Sequence, residues 1–215
     1  MVAQNSVVVI GASGFGRESL DVLEAMKEAG HSLEIIGVVD DNPAAINLQR
    51  LAERKIEYLG TLKEWIEGSP KSCKYVLAIG NPTIRHKLSA LLDKSGFDAF
   101  TAVHPSAVIG SQVVFGSGAV VCSGAVISTN VRLGVHVHIN PNVTIGHDSI
   151  LEDYVSINPA ATISGEVLIM EETLIGAAAT VLQGLTIGNR SLVGASSCVT
   201  KDISAGKVVK GIPAR

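Results

Sequence analysis

The sequence predicts an α/β domain followed by an all-β solenoid, and three observations carry that prediction. From Val103 to Ser204 every sixth residue is apolar, through Ile109, Phe115, Val121, Ile127, Leu133 and Ile139 to Val193 and Val199 without a polar exception. Before Val103, short β-branched runs alternate with helical patterns. Across the whole chain, 22 glycines and 47% hydrophobic residues go with only 4% aromatic residues, a composition suited to tightly wound coils around a narrow core.

In the first part, Ser6 to Ile10 is an apolar strand that runs into Gly11-Ala12-Ser13-Gly14-Phe15-Gly16. A helical face of Leu20, Leu23 and Met26 follows, with Gly30 as its stop. Glu34 to Val39 forms the next strand and ends in Asp40-Asp41. Leu62 to Ile66 allows a short helix, and Tyr75 to Ile79 a third strand ending in Gly80-Asn81-Pro82. Pro82 suits the first turn of a helix carrying Ile84, Leu88, Leu91 and Leu92. Phe97 to Val103 is expected as a fourth strand leading into the repeats. Strands alternating with helices imply a small parallel sheet of Rossmann-like kind over residues 1–102, with the solenoid over 103–215.

In the repeat, a second apolar or small column lies four residues after the first, as at Ala119, Ala125, Val131, Val137, Val143, Ser149, Val155 and, at its end, Ile203. The two columns are expected to fill the interior, and three hexads per turn give about five and a half coils. Small outward residues such as Gly165, Ala177, Ala178 and Ala195 on so apolar a prism favour self-association.

The net charge of −3 and the lack of a basic run exclude an electrostatic case for nucleic acid or a membrane surface. No signal peptide or transmembrane span is expected from the sequence. Cys73, Cys122 and Cys198 form no close pair and read as buried thiols, which points to the cytoplasm.

Ligands of parallel α/β sheets bind beyond the carboxyl ends of the strands, so Gly11 to Gly16, Asp40-Asp41 and Gly80-Asn81 should share one crevice. The glycine loop offers backbone N–H groups to a phosphate, and the acidic pair offers acceptors to ribose or sugar hydroxyls. Its spacing is G-x-x-G-x-G, which differs from the dinucleotide fingerprint and gives no indication of a nicotinamide cofactor. The competing reading is that these glycines only let strand and helix pack closely.

Polar residues that interrupt the solenoid are His136, His138, Asn140, Asn142, His147, Asp148 and Tyr154. Three histidines raise zinc, but their spacing matches no zinc pattern, so no metal is expected. Histidines filling a subunit interface are another reading. In the functional one, His147 takes a proton from an amine or hydroxyl, because an imidazole titrates near neutral pH. Asp148 would fix its tautomer, although consecutive strand residues point to opposite faces, so the contact needs a corner or a neighbouring subunit.

These motifs, with Gly80-Asn81-Pro82-x-x-Arg85, His104-Pro105-Ser106-Ala107, Gly146-His147-Asp148 and the terminal Val209-Lys210-Gly211-Ile212-Pro213-Ala214-Arg215, resemble the NeuD/PglD-type acetyltransferases over nearly the whole chain. The resemblance implies a left-handed parallel β-helix, a homotrimer with active sites at subunit interfaces, and acetyl-CoA as co-substrate. It implies N-acetylation of a UDP-, dTDP- or GDP-linked 4-amino sugar for surface glycan synthesis. O-acetylation of sialic acid, or a catalytically silent scaffold, are the alternatives. By resemblance, His147 is the catalytic base, Asp148 its acidic neighbour and Asn140 an active-site residue. Ser156, Gly165, Ala177 and Ala195 fall on acetyl-CoA-binding positions. Gly14, Phe15, Asp40, Asp41, Gly80, Asn81 and Arg85 fall on the substrate-binding loops. Phe15 and Ser156 stand where the family commonly carries histidines.

Overall fold

A computed structural model describes residues 5–215. The chain forms two compact units, Met1–Pro105 and Ser106–Arg215. In the first, β1 (Asn5–Ile10), α1 (Gly14–Glu28), β2 (Leu33–Val39), α2 (Ala45–Glu53), α3 (Leu62–Gly68), β3 (Lys74–Leu77) and α4 (Pro82–Lys94) follow in order. The sheet is parallel with the order β2-β1-β3, so the chain reverses direction across the sheet on either side of β1.

Val7, Val8, Val9, Val38, Val39, Val76 and Leu77 are fully buried, as expected of a parallel sheet covered on both faces. Leu20 and Leu23 of α1 are fully buried, while Trp65 of α3 stacks on Phe97 at 4.4 Å between ring centroids. Two helix starts are fastened by their own side chains. Thr61 and Glu64 form a reciprocal capping box at α3, and Asn81 Oδ1 accepts the Ile84 N–H at 3.1 Å at α4. Each such cap stabilises its helix by about 1 kcal/mol.

Two expectations need correction here. The fourth strand from Phe97 to Val103 is not continuous: a single bridge joins Tyr75 to Ala99, and only Ala102–Val103 is extended. The helix α2 had no counterpart in the apolar pattern, because it buries one residue, Leu51.

The second unit is a parallel β-helix of two-residue strands separated by two-residue turns, the left-handed solenoid form that uninterrupted hexads imply. Up to Cys198–Val199 the strands pair at a spacing of eighteen residues, for example Thr144–Ile145 with Thr162–Ile163 and with Val126–Ile127. Three flat faces result, one of them running Val108–Ile109, Val126–Ile127, Thr144–Ile145, Thr162–Ile163, Thr180–Val181, Cys198–Val199. From Val121 to Val199 the first column lies at 3% exposure or less, whereas Ile109 on the first coil is 37% exposed. The polar members of the second column are buried with their hydroxyls satisfied. Ser149 donates to the Ser164 carbonyl, Thr173 to that of Gly188 and Ser191 to that of Ser204.

The hexad register slips once. Ile203 bridges Ile187, and Val208–Val209 pairs with Leu192–Val193, so the last coil is shorter than the others. Ile203 therefore belongs to the first interior column and not to the second. Beyond it, Ala214 donates its N–H to the Cys198 carbonyl and Gly211 to the Ser197 hydroxyl, closing the last coil. No helix among the described residues is long and apolar enough to cross a membrane.

Candidate functional site

The crevice of the first unit forms where the strands end, as the sheet order dictates. A cavity of about 150 Å³ is lined by Ile10, Gly11, Asp40, Asp41, Leu62, Ile79 and Leu88. Its acidic residues hold the backbone in place. Asp40 accepts the Ala12 N–H at 2.8 Å on one oxygen and the Asn42 N–H at 2.9 Å on the other, and Asp41 accepts the Leu62 N–H at 2.8 Å. Tyr58, a residue the sequence did not single out, donates its hydroxyl to the Asp40 carbonyl at 2.9 Å. Its phenol is pushed above the ordinary range by burial, and the neighbouring carboxylates of Asp40, Glu64 and Asp41 push the same way.

The glycines of the loop divide by role. A Cβ on Gly16 would overlap the Gly11 carbonyl, and one on Gly11, whose φ is +117°, would lie 2.8 Å from the Ala78 carbonyl oxygen. Close packing requires both. A Cβ on Gly14 would meet nothing within 4 Å, so the exposed start of α1 is left open by choice of residue rather than by steric need. Phe15 is half-buried beside it. Gly80 and Asn81 are exposed at the end of β3. Arg85 differs from Gly14, Phe15, Gly80 and Asn81 in its burial. It is fully buried, and its guanidinium donates to the carbonyls of Ile79 at 2.8 Å and Gly80 at 3.4 Å. It supports the loop from behind, and of the expected substrate residues the cavity itself is lined by Asp40 and Asp41, with Gly14, Phe15, Gly80, Asn81 and Arg85 outside its lining.

In the β-helix the chemistry gathers on one edge. Among the turn residues, Asn130, Asp148 and Glu166 stack at eighteen-residue spacing, each with φ of 59° or 60°. That left-handed corner turns consecutive side chains to the same side, which is why His147 and Asp148 of one chain meet although strand neighbours would diverge. His147 Nδ1 lies 2.7 Å from Asp148 Oδ2, and Asn130 Nδ2 donates to Asp148 Oδ1 at 2.9 Å. These two hydrogen bonds, the one from His147 first, hold the Asp148 carboxyl below the usual carboxylate range. An ionised carboxylate only accepts hydrogen bonds. The imidazole therefore presents an Nδ1 proton to Asp148, which leaves Nε2 as the ring nitrogen free of that contact.

Glycine makes room for that ring. A Cβ on Gly165 would stand 2.6 Å from His147 Nε2, so the imidazole lies against the Gly165 backbone. The pair remains open to solvent, with side-chain exposures of 55% for His147 and 47% for Asp148. Glu166 was not anticipated from sequence, yet its carboxylate and donor atoms of His147 and Asp148 all lie within 4.8 Å of one another. Counting eighteen residues in both directions from Asp148 reveals Asn130 and Glu166.

Asn140, Ala177 and Ala195 occupy a different edge. Asn140 precedes the turn at residues 141–142, one face away from the turn at residues 147–148. Its side-chain amide donates to the Ile157 carbonyl at 2.8 Å, and it is 8% exposed. Ser156, on the strand paired with His138–Ile139, is buried. Ala177 is half-buried and Ala195 exposed. Among the described residues, the N–H groups of Gly165, Ala177 and Ala195 find no acceptor. The expected site residues thus fall into two sets on separate edges of one prism.

Comparison with known proteins follows the same two parts. Residues 6–92 match the family described as the PglD N-terminal domain. The acetyltransferase domain of PglB from Neisseria gonorrhoeae FA1090, in complex with acetyl coenzyme A, is 27% identical over 99% of both chains with a TM-score of 0.86. PerB from Caulobacter crescentus, in complex with CoA and GDP-perosamine, is 28% identical over 99% of this chain and 97% of that chain, with a TM-score of 0.87. WeeI from Acinetobacter baumannii AYE is 26% identical over 99% of both chains, with a TM-score of 0.85. A comparison with curated protein sequences finds no match.

Proposed function

We propose that this chain, which belongs to the NeuD/PglD-type sugar acetyltransferases, transfers an acetyl group from acetyl-CoA to an amine of a nucleotide-linked amino sugar. The observation that carries the reading is the His147–Asp148 pair, with Nδ1 tied to an ionised carboxylate and Nε2 lying over the small residue Gly165. That is the arrangement a general base needs: a fixed tautomer, and an anion that stabilises the imidazolium once the proton is taken.

The small positions suit a thioester co-substrate. Gly165, Ala177 and Ala195 present backbone N–H donors with no competing acceptor and no bulky side chain. They would hold acetyl-CoA, which supplies the activated acyl group. One of these N–H groups would receive the charge that develops on the carbonyl oxygen. His147 Nε2 takes the proton from the attacking amine. Transfer is direct, because Cys73 and Cys122 are buried and Cys198 lies on a strand of another coil, so among the described residues of the β-helix no thiol stands beside His147 as a nucleophile.

The two edges favour a homotrimer. One prism separates His147 from Ala177 and Ala195 by a face, and a second copy set against the first brings the complementary edge to each His147. The nucleotide part of the acceptor is assigned to Gly14, Phe15, Asp40, Asp41, Gly80 and Asn81, with Arg85 acting only through the loop it supports.

A thiol-release assay with acetyl-CoA against UDP-, dTDP- and GDP-linked 4-amino sugars, with sialic acid alongside, tests the reading. At least one amino sugar should react. His147→Ala should lower turnover by about 10² to 10⁴ while acetyl-CoA binding survives. Reaction with sialic acid alone would make the chain an O-acetyltransferase, and normal turnover in a folded His147→Ala trimer would remove this residue from the chemistry.

A further inference from the structure

Three titratable side chains converge on the His147 edge where one proton transfer needs only two. Asp148 already supports the imidazole through Nδ1. Glu166 adds a second carboxylate on the next coil, directly over Asp148 at the same corner position. Its backbone N–H is fixed by the His147 carbonyl at 2.8 Å, so the residue is placed as firmly as the base itself. Its side chain is exposed, with donor atoms of all three groups within 4.8 Å of one another.

On this edge, cationic and anionic side chains reappear only two coils beyond Glu166, at Lys201 and Asp202. On the coil before Asp148 it carries Thr129 and Asn130, and on the coil after Glu166 it carries Gln183 and Gly184. Among the described residues, His147, Asp148 and Glu166 bring their side-chain polar atoms together at this corner, two carboxylates to one imidazole.

Resting on the acetyltransferase reading, we propose that Glu166 is a specificity-determining residue: with Asp148 it forms an anionic seat that draws the acceptor in as an ammonium and so favours amines over hydroxyls. An alkylammonium, like that of lysine, is protonated at pH 7, whereas a hydroxyl is neutral and gains nothing from a second anion. The reaction balances as an ammonium plus the acetyl thioester giving the amide, the CoA thiol and one released proton. The C–S bond breaks and a C–N bond forms. Of the two protons that leave nitrogen, one goes to water at the exposed carboxylates, and the other passes by way of His147 to the departing thiolate.

The test compares Glu166→Gln and Glu166→Asp with the unaltered trimer, using the reactive amino sugar as substrate and its hydroxyl counterpart as a competitive inhibitor. Glu166→Gln should raise the acceptor KM at pH 7 by about two- to fivefold, as expected for an exposed ion pair, with kcat less affected. The inhibition constant of the hydroxyl counterpart should not move. The KM difference should shrink as the pH is raised until the acceptor is a free amine, and Glu166→Asp should recover most of it. Acetyl-CoA binding by calorimetry should match in all three proteins, which separates a local charge effect from damage to the coil. An unchanged acceptor KM, or an equal loss for amine and hydroxyl ligands, overturns the role of Glu166 and leaves the acetyltransferase reading intact. Failure of the unaltered protein to acetylate any amino sugar overturns both.

Discussion

The crevice of the first unit and the histidine edge of the β-helix both collect carboxylates beside glycines, but they use them in opposite ways. In the crevice, Asp40 and Asp41 accept three backbone N–H groups, from Ala12, Asn42 and Leu62, and the loops depend on them. At the edge, the coil already pairs its own backbone from turn to turn, and Asp148 accepts only from the side chains of His147 and Asn130. At this corner the coil therefore leaves its side chains available for chemistry, although Asp153 and Asp202 elsewhere on it accept the backbone N–H groups of Val135 and Thr186, whereas the glycine-rich loop depends on its carboxylates. Substitutions in the crevice should cost stability and binding together. Those at the edge should cost activity alone.

The sharpest contrast comes from three glycines. Gly16→Ala puts a methyl group into the Gly11 carbonyl, which is backbone and cannot swing aside. It should destabilise the first unit by about 3 kcal/mol or more, measured by denaturant unfolding, while Gly14→Ala, with open space around its Cβ, should leave stability unchanged. Gly165→Ala is the counterpart at the edge. Its methyl group meets the tip of the His147 ring, which can move. Stability should hold, and turnover should fall by about 10²-fold because a misplacement near 1 Å costs that much. A Gly165→Ala protein that unfolds as readily as Gly16→Ala would erase the distinction between the two regions.

Asp40→Ala comes next in size. Two backbone donors lose their acceptor, at a cost of about 1 to 3 kcal/mol, and the acceptor KM should rise more than kcat falls. Loss of binding with full stability would mean that the Asp40 carboxylate serves the ligand and not the loop.

Much of this architecture was legible from sequence because its cause is periodic. The six-residue columns named the interior of the coil correctly from Val121 to Val199, since a β-helix repeats one environment at each turn. What escaped lies where the repeat changes or where contacts join positions far apart in the chain. Ile203 was assigned to the wrong column because two residues are missing from the last coil, and its apolar side chain suits either column. The helix α2 buries only Leu51 and so lacked an apolar stripe. His147 stood out as a polar residue in an apolar frame, but its bond to Asp148 required the corner geometry, with φ of 59° at Asp148. The engagement of Asp40 with Ala12, 28 residues earlier, left no local signal. Asn130 and Glu166 were visible only at the eighteen-residue spacing of whole coils, not at the six-residue spacing of the hexads.

Asn130 gives the smallest and most specific test of the edge. Its amide is the second of two hydrogen bonds that hold the Asp148 carboxyl below the ordinary range. A carboxyl depressed in the folded protein stays ionised below the pH at which an unfolded one protonates, so its contribution is present above the unfolded value and is lost as pH falls through the folded one. Asn130→Ala removes one donor, so the folded value should move up toward the ordinary carboxylate, and the His147–Asp148 pair should separate earlier on acidification. Carboxyl-resolved NMR titration of Asp148 would show the shift directly. Near pH 7 Asp148 is ionised with or without Asn130, so turnover there should change by no more than a few-fold, through looser orientation of the carboxylate. The two readouts together decide what holds the base. An Asp148 titration that does not move would mean that His147 alone keeps the carboxylate ionised, and a large fall in turnover at pH 7 would mean that Asn130 acts on the substrate and not through Asp148.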